Sequence, residues 1–226
     1  MSHADDAARA AAAAAAVELV SPGMTIGLGS GRAVWKVVDR LGERFGELRA
    51  VVASSRTEEL ARTAGIEVVE LDGSLELDLA LDGADEVDGS LRLIKGGGGA
   101  LLREKIVVSA ARRFVVVAET RKRVERLGEG FRLPVEVVKF AWRDTRRRVA
   151  ELLPDPTLRL REDGESYVTD EGHFILDCPL PGDADLESLD AALKQVPGVV
   201  EHGLFIGMAS QALLGRPDGE VDVLLR

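Results

Sequence analysis

The sequence predicts an α/β protein: a Rossmann-like domain on a mostly parallel sheet, joined to a second, smaller ferredoxin-like α+β domain. Three observations carry this. Up to about residue 130, short apolar runs alternate with stretches of helical spacing, as consecutive βα units require. Glycine or serine turns stand between several of those runs and the helix that follows. Beyond residue 130 the order changes to β-α-β-β-α-β, with an extra hairpin turn, which matches a ferredoxin-like module. The expected division is 1–129 plus 206–226 for the first domain and 130–205 for the second.

The elements follow in order. MSHADDAARAAAAAAAVELV predicts a first helix, because alanine is the strongest helix former and Ser21-Pro22-Gly23 stops it. It opens with acids rather than a basic region, so it reads poorly as a signal peptide, and its apolar stretch is too short to span a bilayer. MTIGL predicts a strand, GLGSG a turn, and Val34, Val37, Val38 and Leu41 mark the inner face of a helix. A strand at 48–53, a serine turn and a helix from about Thr57 repeat the plan, and IEVVEL adds a short strand. LDLALD (77–82) is a near-continuous apolar run, expected for a strand buried on both faces. LRLIK, the glycines and LLREKIVV give strand, loop and helix, and FVVVAET is a strongly β-branched strand. In the second domain LPVEVVKF, TLRLRE, SYVTD, HFILDC and GVVEHGLF predict strands. AWRDTRRRVAELL and DLESLDAALKQV predict helices, and RDTRRRV is expected to be a solvated face.

Bulk composition bounds the function. The chain has 226 residues, 46% hydrophobic, with a formal net charge of −10. An acidic surface repels nucleic acid and anionic membranes, so neither is an expected partner. A phosphorylated substrate needs instead a local pocket of N–H groups and bases. Cys178 is the only cysteine, which excludes an intramolecular disulfide and any multi-cysteine zinc site and fits a reducing cytoplasm.

Three stretches carry chemistry. GLGSG (27–31) lies between strand and helix, where free N–H groups and positive potential favour an anion. It lacks the third glycine of G-x-G-x-x-G, so a dinucleotide is rejected; a small phosphate site fits better than a plain tight turn. LDGADEVDG (81–89) places Asp82 at a strand's carboxyl end, where open α/β sheets bind ligands. Its Asp82, Asp85 and Asp88 do not have EF-hand spacing, and a solvated acidic turn is the competing reading. KGGGGALLREK (95–105) opposes a glycine hinge to a catalytic loop. Glu104 has Ala100, Leu101, Val107 and Val108 as helical neighbours, and desolvation there would raise its pKa toward the range of a general base. Arg103 and Lys105 flank it, so part of this helix is expected to face water, with either residue available to pair with Glu104. His3, His173 and His202 lack an acid–nucleophile pattern, and a surface or structural role is expected for each.

Together these stretches resemble ribose-5-phosphate isomerase of the A type, from PGMTIGLGSG to VPGVVEHGLF. DGADEVD with KGGGGALLREKI is the most specific part. The resemblance implies a cofactor-free, metal-free aldose–ketose isomerisation of ribose 5-phosphate and ribulose 5-phosphate through an enediolate. It implies Glu104 as the base, with Asp82, Asp85 and Lys95 opening the ring, moving hydroxyl protons and stabilising the oxyanion. Gly83, Ala84 and the amides of Gly96, Gly97 and Gly98 would line the same site. Phosphate contacts are implied for Ser30, Gly31, Arg32 and Ala33 and for Lys122. The family's G-T-G-S-T is here Gly29-Ser30-Gly31-Arg32-Ala33, so one hydroxyl is kept and two are lost; Ala53-Ser54-Ser55 stands where a threonine is common. Arg32 is expected to replace the lost hydroxyl bonds with a charge-assisted contact. A homodimer or homotetramer is also implied. Two rival readings differ in class: an isomerase for another phosphorylated aldose, and a non-catalytic sugar-phosphate sensor, which the acidic charge and lack of room for a DNA-binding module disfavour.

Overall fold

Six consecutive buried residues, Phe114–Glu119, mark the centre of a sheet covered on both faces. The computed structural model describes residues 3–45 and 47–226. The first part of the chain forms α1 (His3–Val17), β1 (Thr25–Leu28), α2 (Arg32–Arg44), β2 (Arg49–Val52), α3 (Ser55–Thr63) and β3 (Glu67–Val68). Then come β4 (Leu79–Asp82), β5 (Glu86–Val87), β6 (Leu93–Ile94), α4 (Leu101–Ser109) and β7 (Phe114–Glu119). The second part holds β8 (Leu133–Val137), α5 (Trp142–Val149), β9 (Thr157–Leu158), β10 (Phe174–Cys178), α6 (Leu186–Lys194) and β11 (Val199–His202). After it come β12 (Leu204–Phe205), β13 (Gln211–Gly215) and β14 (Val221–Leu225).

The main sheet has the order β14-β13-β7-β4-β1-β2-β3, parallel throughout except for the final β13–β14 hairpin. Period-two alternation divides its side chains between two cores. Val115 and Val117 of β7 join Ile26, Leu28 and the inner face of α2, while Phe114, Val116 and Ala118 face the opposite side. Helix α1, alanine-rich as expected, lies close against α2, β7 and β13. Strand order reverses between β1 and β4: the chain runs outward through β2 and β3, then returns to β1's other flank. Such a switch point leaves a crevice beyond the strands' carboxyl ends, which fixes where a ligand can sit.

Four strands of the second part make an antiparallel sheet, β11-β8-β10-β9, and the expected β-α-β-β-α-β order is present. Leu133, Val135, Val137, Leu176 and Cys178 pack there with Leu186, Leu189 and Leu193 of α6. The arginines of α5 face outward, except where Arg146 Nε donates to Pro156 O. Among the described residues no helix is long and apolar enough to cross a membrane.

Two sequence expectations change. SYVTD was expected as a strand, but it forms only the Leu160–Ser166 bridge and isolated hydrogen bonds. Its side chains reach outward instead: the Tyr167 hydroxyl donates to Gly98 O and Asp170 accepts from Ser55. GVVEHGLF is not one strand but two. A register shift between Val199 and Glu201 and the turn at Gly203 pass the chain from β11 to β12, which pairs with β6 in a small third sheet.

Gly203 is the rivet at that crossing. Its N–H donates to Pro134 O at 2.8 Å, and its carbonyl accepts the Lys95 N–H at 2.9 Å. A Cβ here would lie 2.2 Å from Lys95 O. We expect Gly203→Ala to destabilise the chain by about 1–3 kcal/mol through overpacking against backbone. Denaturant unfolding at equilibrium checks this; a midpoint equal to wild type contradicts the rivet.

Candidate active site

At the carboxyl ends of the central strands, β4 ends in Asp82, β7 ends in Glu119, and β1 runs into the Gly29-Ser30 turn. Asp82, the last residue of β4, is fully buried. Its Oδ1 accepts the N–H of Ser30 at 3.1 Å and of Gly83 at 2.6 Å, and its Oδ2 lies 3.0 Å from Lys95 Nζ. The fit is tight enough that a Cβ on Gly29 would overlap the Asp82 carboxyl, which explains a glycine there. Lys95 Nζ is also 3.1 Å from Glu104 Oε2 and donates to Gly83 O at 2.7 Å. Glu104 enters from the first turn of α4, 5% exposed, with Leu101, Val107 and Val108 buried around it as the sequence predicts.

One ammonium thus serves two buried carboxylates. Burial pushes the Glu104 carboxyl up, Asp82 pushes it further, and Lys95 only partly offsets them, leaving its pKa at about 8. Burial alone would lower the Lys95 pKa, but Asp82, Glu104 and Asp85 outweigh it and raise it, so the lysine stays charged. The Lys95–Glu104 pair is within ion-pair distance but off hydrogen-bond alignment, so Glu104 Oε2 has no donor aimed at it.

A cavity of about 580 Å³ opens in front of this pair. Ser30, Gly31, Arg32, Ala33, Gly83, Ala84, Asp85, Lys95, Gly96, Gly97, Gly98, Glu104 and Lys122 all line it. Asp82 does not: it lies behind Lys95 and touches the cavity only through the lysine and the Ser30 and Gly83 amides. Asp85 stands at the wall, its Oδ2 accepting the Gly97 N–H at 2.7 Å and its Oδ1 3.9 Å from Lys122 Nζ. The Gly97 amide, expected as an oxyanion donor, is therefore already committed. Gly96 has φ of 105°, and a Cβ on Gly97 would lie 2.6 Å from Asp85 Oδ1, whereas one on Gly98 would meet nothing within 4 Å. The glycine run is a shaped wall rather than a hinge.

At the other end of the cavity Gly31, with φ of 90°, caps α2 without a side-chain bond. Helix α2 begins at Arg32, so the Arg32 and Ala33 amides have no intrahelical acceptor and lie on the cavity wall at the positive end of the helix dipole. Ser30 Oγ donates to Ser54 Oγ, which caps α3 by accepting the Thr57 N–H at 3.1 Å.

Two expectations are corrected. Part of α4 faces water as expected, at Ile106 and Ser109, but Lys105 is buried, and Glu104 pairs with neither flanking base. Lys105 Nζ finds Glu201 at 2.8 Å and the carbonyls of His202 and Leu204 at 2.7 and 2.8 Å, over the Phe205 ring, so its burial is satisfied. Arg103 pairs with Asp170 and Glu171. The solvated-turn reading of LDGADEVDG also fails: Asp88 is buried, accepting the Ser90 and Arg92 amides. His202 is buried, and His173 pairs with Glu136, both structural as expected. Sequence reasoning missed Arg9, Trp35, Glu119, Arg121 and Phe131 on the cavity wall. The signal for Arg9 was a lone charge within an alanine helix; it is buried and pairs with Glu119 at 2.5 Å.

The model of the family described as ribose 5-phosphate isomerase A (phosphoriboisomerase A) matches residues 49–219. The ribose-5-phosphate isomerase A of Roseiflexus castenholzii is 51% identical over 95% of this chain and 94% of that protein. That of Synechococcus sp. (strain JA-3-3Ab) is 46% identical over 97% of each. The solved ribose 5-phosphate isomerase A from Methanocaldococcus jannaschii aligns with a TM-score of 0.91 at 36% identity, covering 96% of this chain and 98% of its own. A D-ribose-5-phosphate isomerase in complex with phospho-erythronic acid aligns over the whole of both chains, with a TM-score of 0.93 and 32% identity.

The raised Glu104 pKa has a thermodynamic consequence. Between the ordinary carboxyl value of 4.5 and about 8, the folded chain holds a proton that the unfolded chain has released. The stability this proton confers is complete below the lower value and is lost as pH rises through the upper one. Glutamine keeps the shape and cannot ionise. We expect Glu104→Gln to raise Tm at pH 9, by a stability difference on the order of a few kcal/mol that shrinks toward pH 5. A Tm below wild type at pH 9 contradicts the desolvated carboxylate.

Proposed function

The chain belongs to the ribose 5-phosphate isomerase A family, and we propose that it interconverts D-ribose 5-phosphate and D-ribulose 5-phosphate with Glu104 as the proton-transferring base. The observation that carries the assignment of the base is the burial of Glu104 on the cavity wall beside Lys95, with its pKa pushed up to about 8.

In the open-chain aldose, C1 is an aldehyde and C2 carries a hydrogen and a hydroxyl. Glu104 as carboxylate takes the C2 proton, and the electron pair moves through the new C1–C2 double bond onto O1. The enediolate charge falls where the Lys95 ammonium stands, a fixed cation in a water-poor site. The O2 proton passes to O1, Glu104 returns its proton to C1, and the C2 carbonyl of the ketose remains. No net proton is gained or lost. In this reading Asp85 handles the hydroxyl proton during ring opening, and Asp82 acts through Lys95 by holding it in place. The phosphate lies at the amides of Arg32 and Ala33, with the Arg32 guanidinium and Lys122 beside it. Phospho-erythronic acid, bound in the similar structure, fits the same reading: it joins a planar carboxylate, which resembles the C1–C2 end of the enediolate, to a phosphate.

A cytoplasmic location and a homodimer or homotetramer belong to this proposal. A lone, buried Cys178, its thiol pushed up to about 12 by burial, suits a reducing compartment. We also take 1–129 with 206–226 as one domain and 130–205 as the other, a division that sheet membership supports except at β12 (Leu204–Phe205), which pairs with β6 of the first.

Three outcomes test the proposal. For the free enzyme, kcat/KM should rise with pH through a pKa near 8, because the base works only when ionised. Glu104→Gln should lower kcat by roughly 10²–10⁴; a loss of only a few-fold rules out Glu104 as base. Arg32→Ala should raise KM for ribose 5-phosphate about tenfold with kcat kept, since a charge-assisted bond to phosphate is lost. An unchanged KM would assign phosphate binding to the amides and Lys122 alone.

A further inference from the structure

The glycine loop is held from outside the cavity. Arg159, just beyond β9, donates from Nη1 to Gly96 O at 2.7 Å and to Gly97 O at 3.2 Å. The guanidinium is itself gripped by Asp177 of β10, with Nε donating to Oδ2 at 2.9 Å and Nη2 to Oδ1 at 2.5 Å. A second donor, the Tyr167 hydroxyl, reaches Gly98 O at 2.9 Å, and a Cβ on Gly99 would lie 2.2 Å from that hydroxyl. Three successive carbonyls of the loop are therefore tied to side chains of the second part of the chain. The same segment is anchored again where Asp170 accepts from the Ser55 N–H and hydroxyl, each at 3.0 Å.

Direction follows from the peptide plane. In a trans peptide the N–H points away from its own carbonyl, so a Gly97 C=O fixed on Arg159 turns the Gly98 N–H the opposite way. Gly98 lines the cavity, and its N–H has no acceptor among the described residues. The Gly97 N–H is spent on Asp85 and the Gly99 N–H on Gly96 O. Gly98 thus offers the one uncommitted amide among these three, on the wall of the same cavity that Lys95 and Glu104 line.

We propose that Arg159, locked by Asp177 and supported by Tyr167, is a positioning residue for the isomerisation. It holds the Gly96–Gly98 carbonyls outward and so presents the Gly98 N–H to the enediolate oxygen. The inference rests on the isomerase reading and deepens it. Arg159 touches no substrate, so its effect falls on stabilisation of the developing charge and not on phosphate binding.

Kinetics of wild type, Arg159→Lys, Arg159→Ala and Tyr167→Phe on ribose 5-phosphate test it, together with calorimetric binding of phospho-erythronic acid. Lysine keeps the charge but lacks the fork that spans Asp177 and two carbonyls. Arg159→Lys and Arg159→Ala should lower kcat by tenfold to a hundredfold with KM within about threefold, a fraction of the 10²–10³ lost when an oxyanion donor is removed outright. Phospho-erythronic acid should bind more weakly in the same proportion as kcat/KM falls, and Tyr167→Phe should show a smaller loss of the same kind. If Arg159→Ala does not fold, Arg159→Lys and Tyr167→Phe decide alone. A kcat within twofold of wild type in both, or a loss confined to KM or Tm, overturns the positioning role. Wild type that binds phospho-erythronic acid but does not turn over ribose 5-phosphate overturns the isomerase reading instead, and the binding ratios still judge the clamp.

Discussion

The site depends on one ammonium group shared by two buried carboxylates. Lys95 neutralises one negative charge, yet Asp82 and Glu104 bring two into the same water-poor space. Burial pushes both carboxyls up, but Asp82 has in addition two backbone amides donating to its Oδ1. Glu104 has no such amides among the described residues, and burial with Asp82 beside it holds its proton up to about pH 8. In the proposed reaction, the imbalance between the two acids, rather than the presence of either, is what lets Glu104 both take and return a proton.

Everything around the pair serves to keep the lysine in place. Its backbone N–H is bonded to Gly203, its head group donates to Gly83 O, and the Phe205 ring lies 5.4 Å beneath its charge. Phe205 carries Lys105 on its ring as well, so the residue after Glu104 is anchored by the ring that faces Lys95. The sheet switch point supplies the crevice, the start of α2 supplies unpaired amides at one end of it, and the glycine loop supplies a wall thin enough for close approach.

Much of this was legible in the sequence. The βα alternation gave the central sheet, LDLALD gave a buried strand ending in Asp82, and the apolar spacing around Glu104 gave its desolvation. Pairwise side-chain geometry was not legible. Nothing near Glu104 in sequence says that Lys95 rather than Arg103 or Lys105 is its partner, because the choice is made by Lys105 finding three acceptors around Glu201 to Leu204. SYVTD read as a strand because its β-branched and aromatic content is that of one, and only the fold reveals that Tyr167 and Asp170 serve tertiary contacts instead. The partners of Arg159 and Arg9 carry no signal in the sequence for the same reason: a charged residue's pairing is a matter of three dimensions.

The Gly203 rivet also sets an order of assembly. Lys95 takes its backbone partner from a residue that leaves the ribosome far behind it, and β7 waits for β13 to complete the sheet's interior. Such non-local pairings close late, because the intervening loop entropy must be overcome first. A nascent chain that has already displayed its glycine loop and Glu104 still lacks a fixed lysine. The complete site therefore arrives only once Gly203 and β13 have joined segments made much earlier, as a property of the assembled topology and not of the residues that line it.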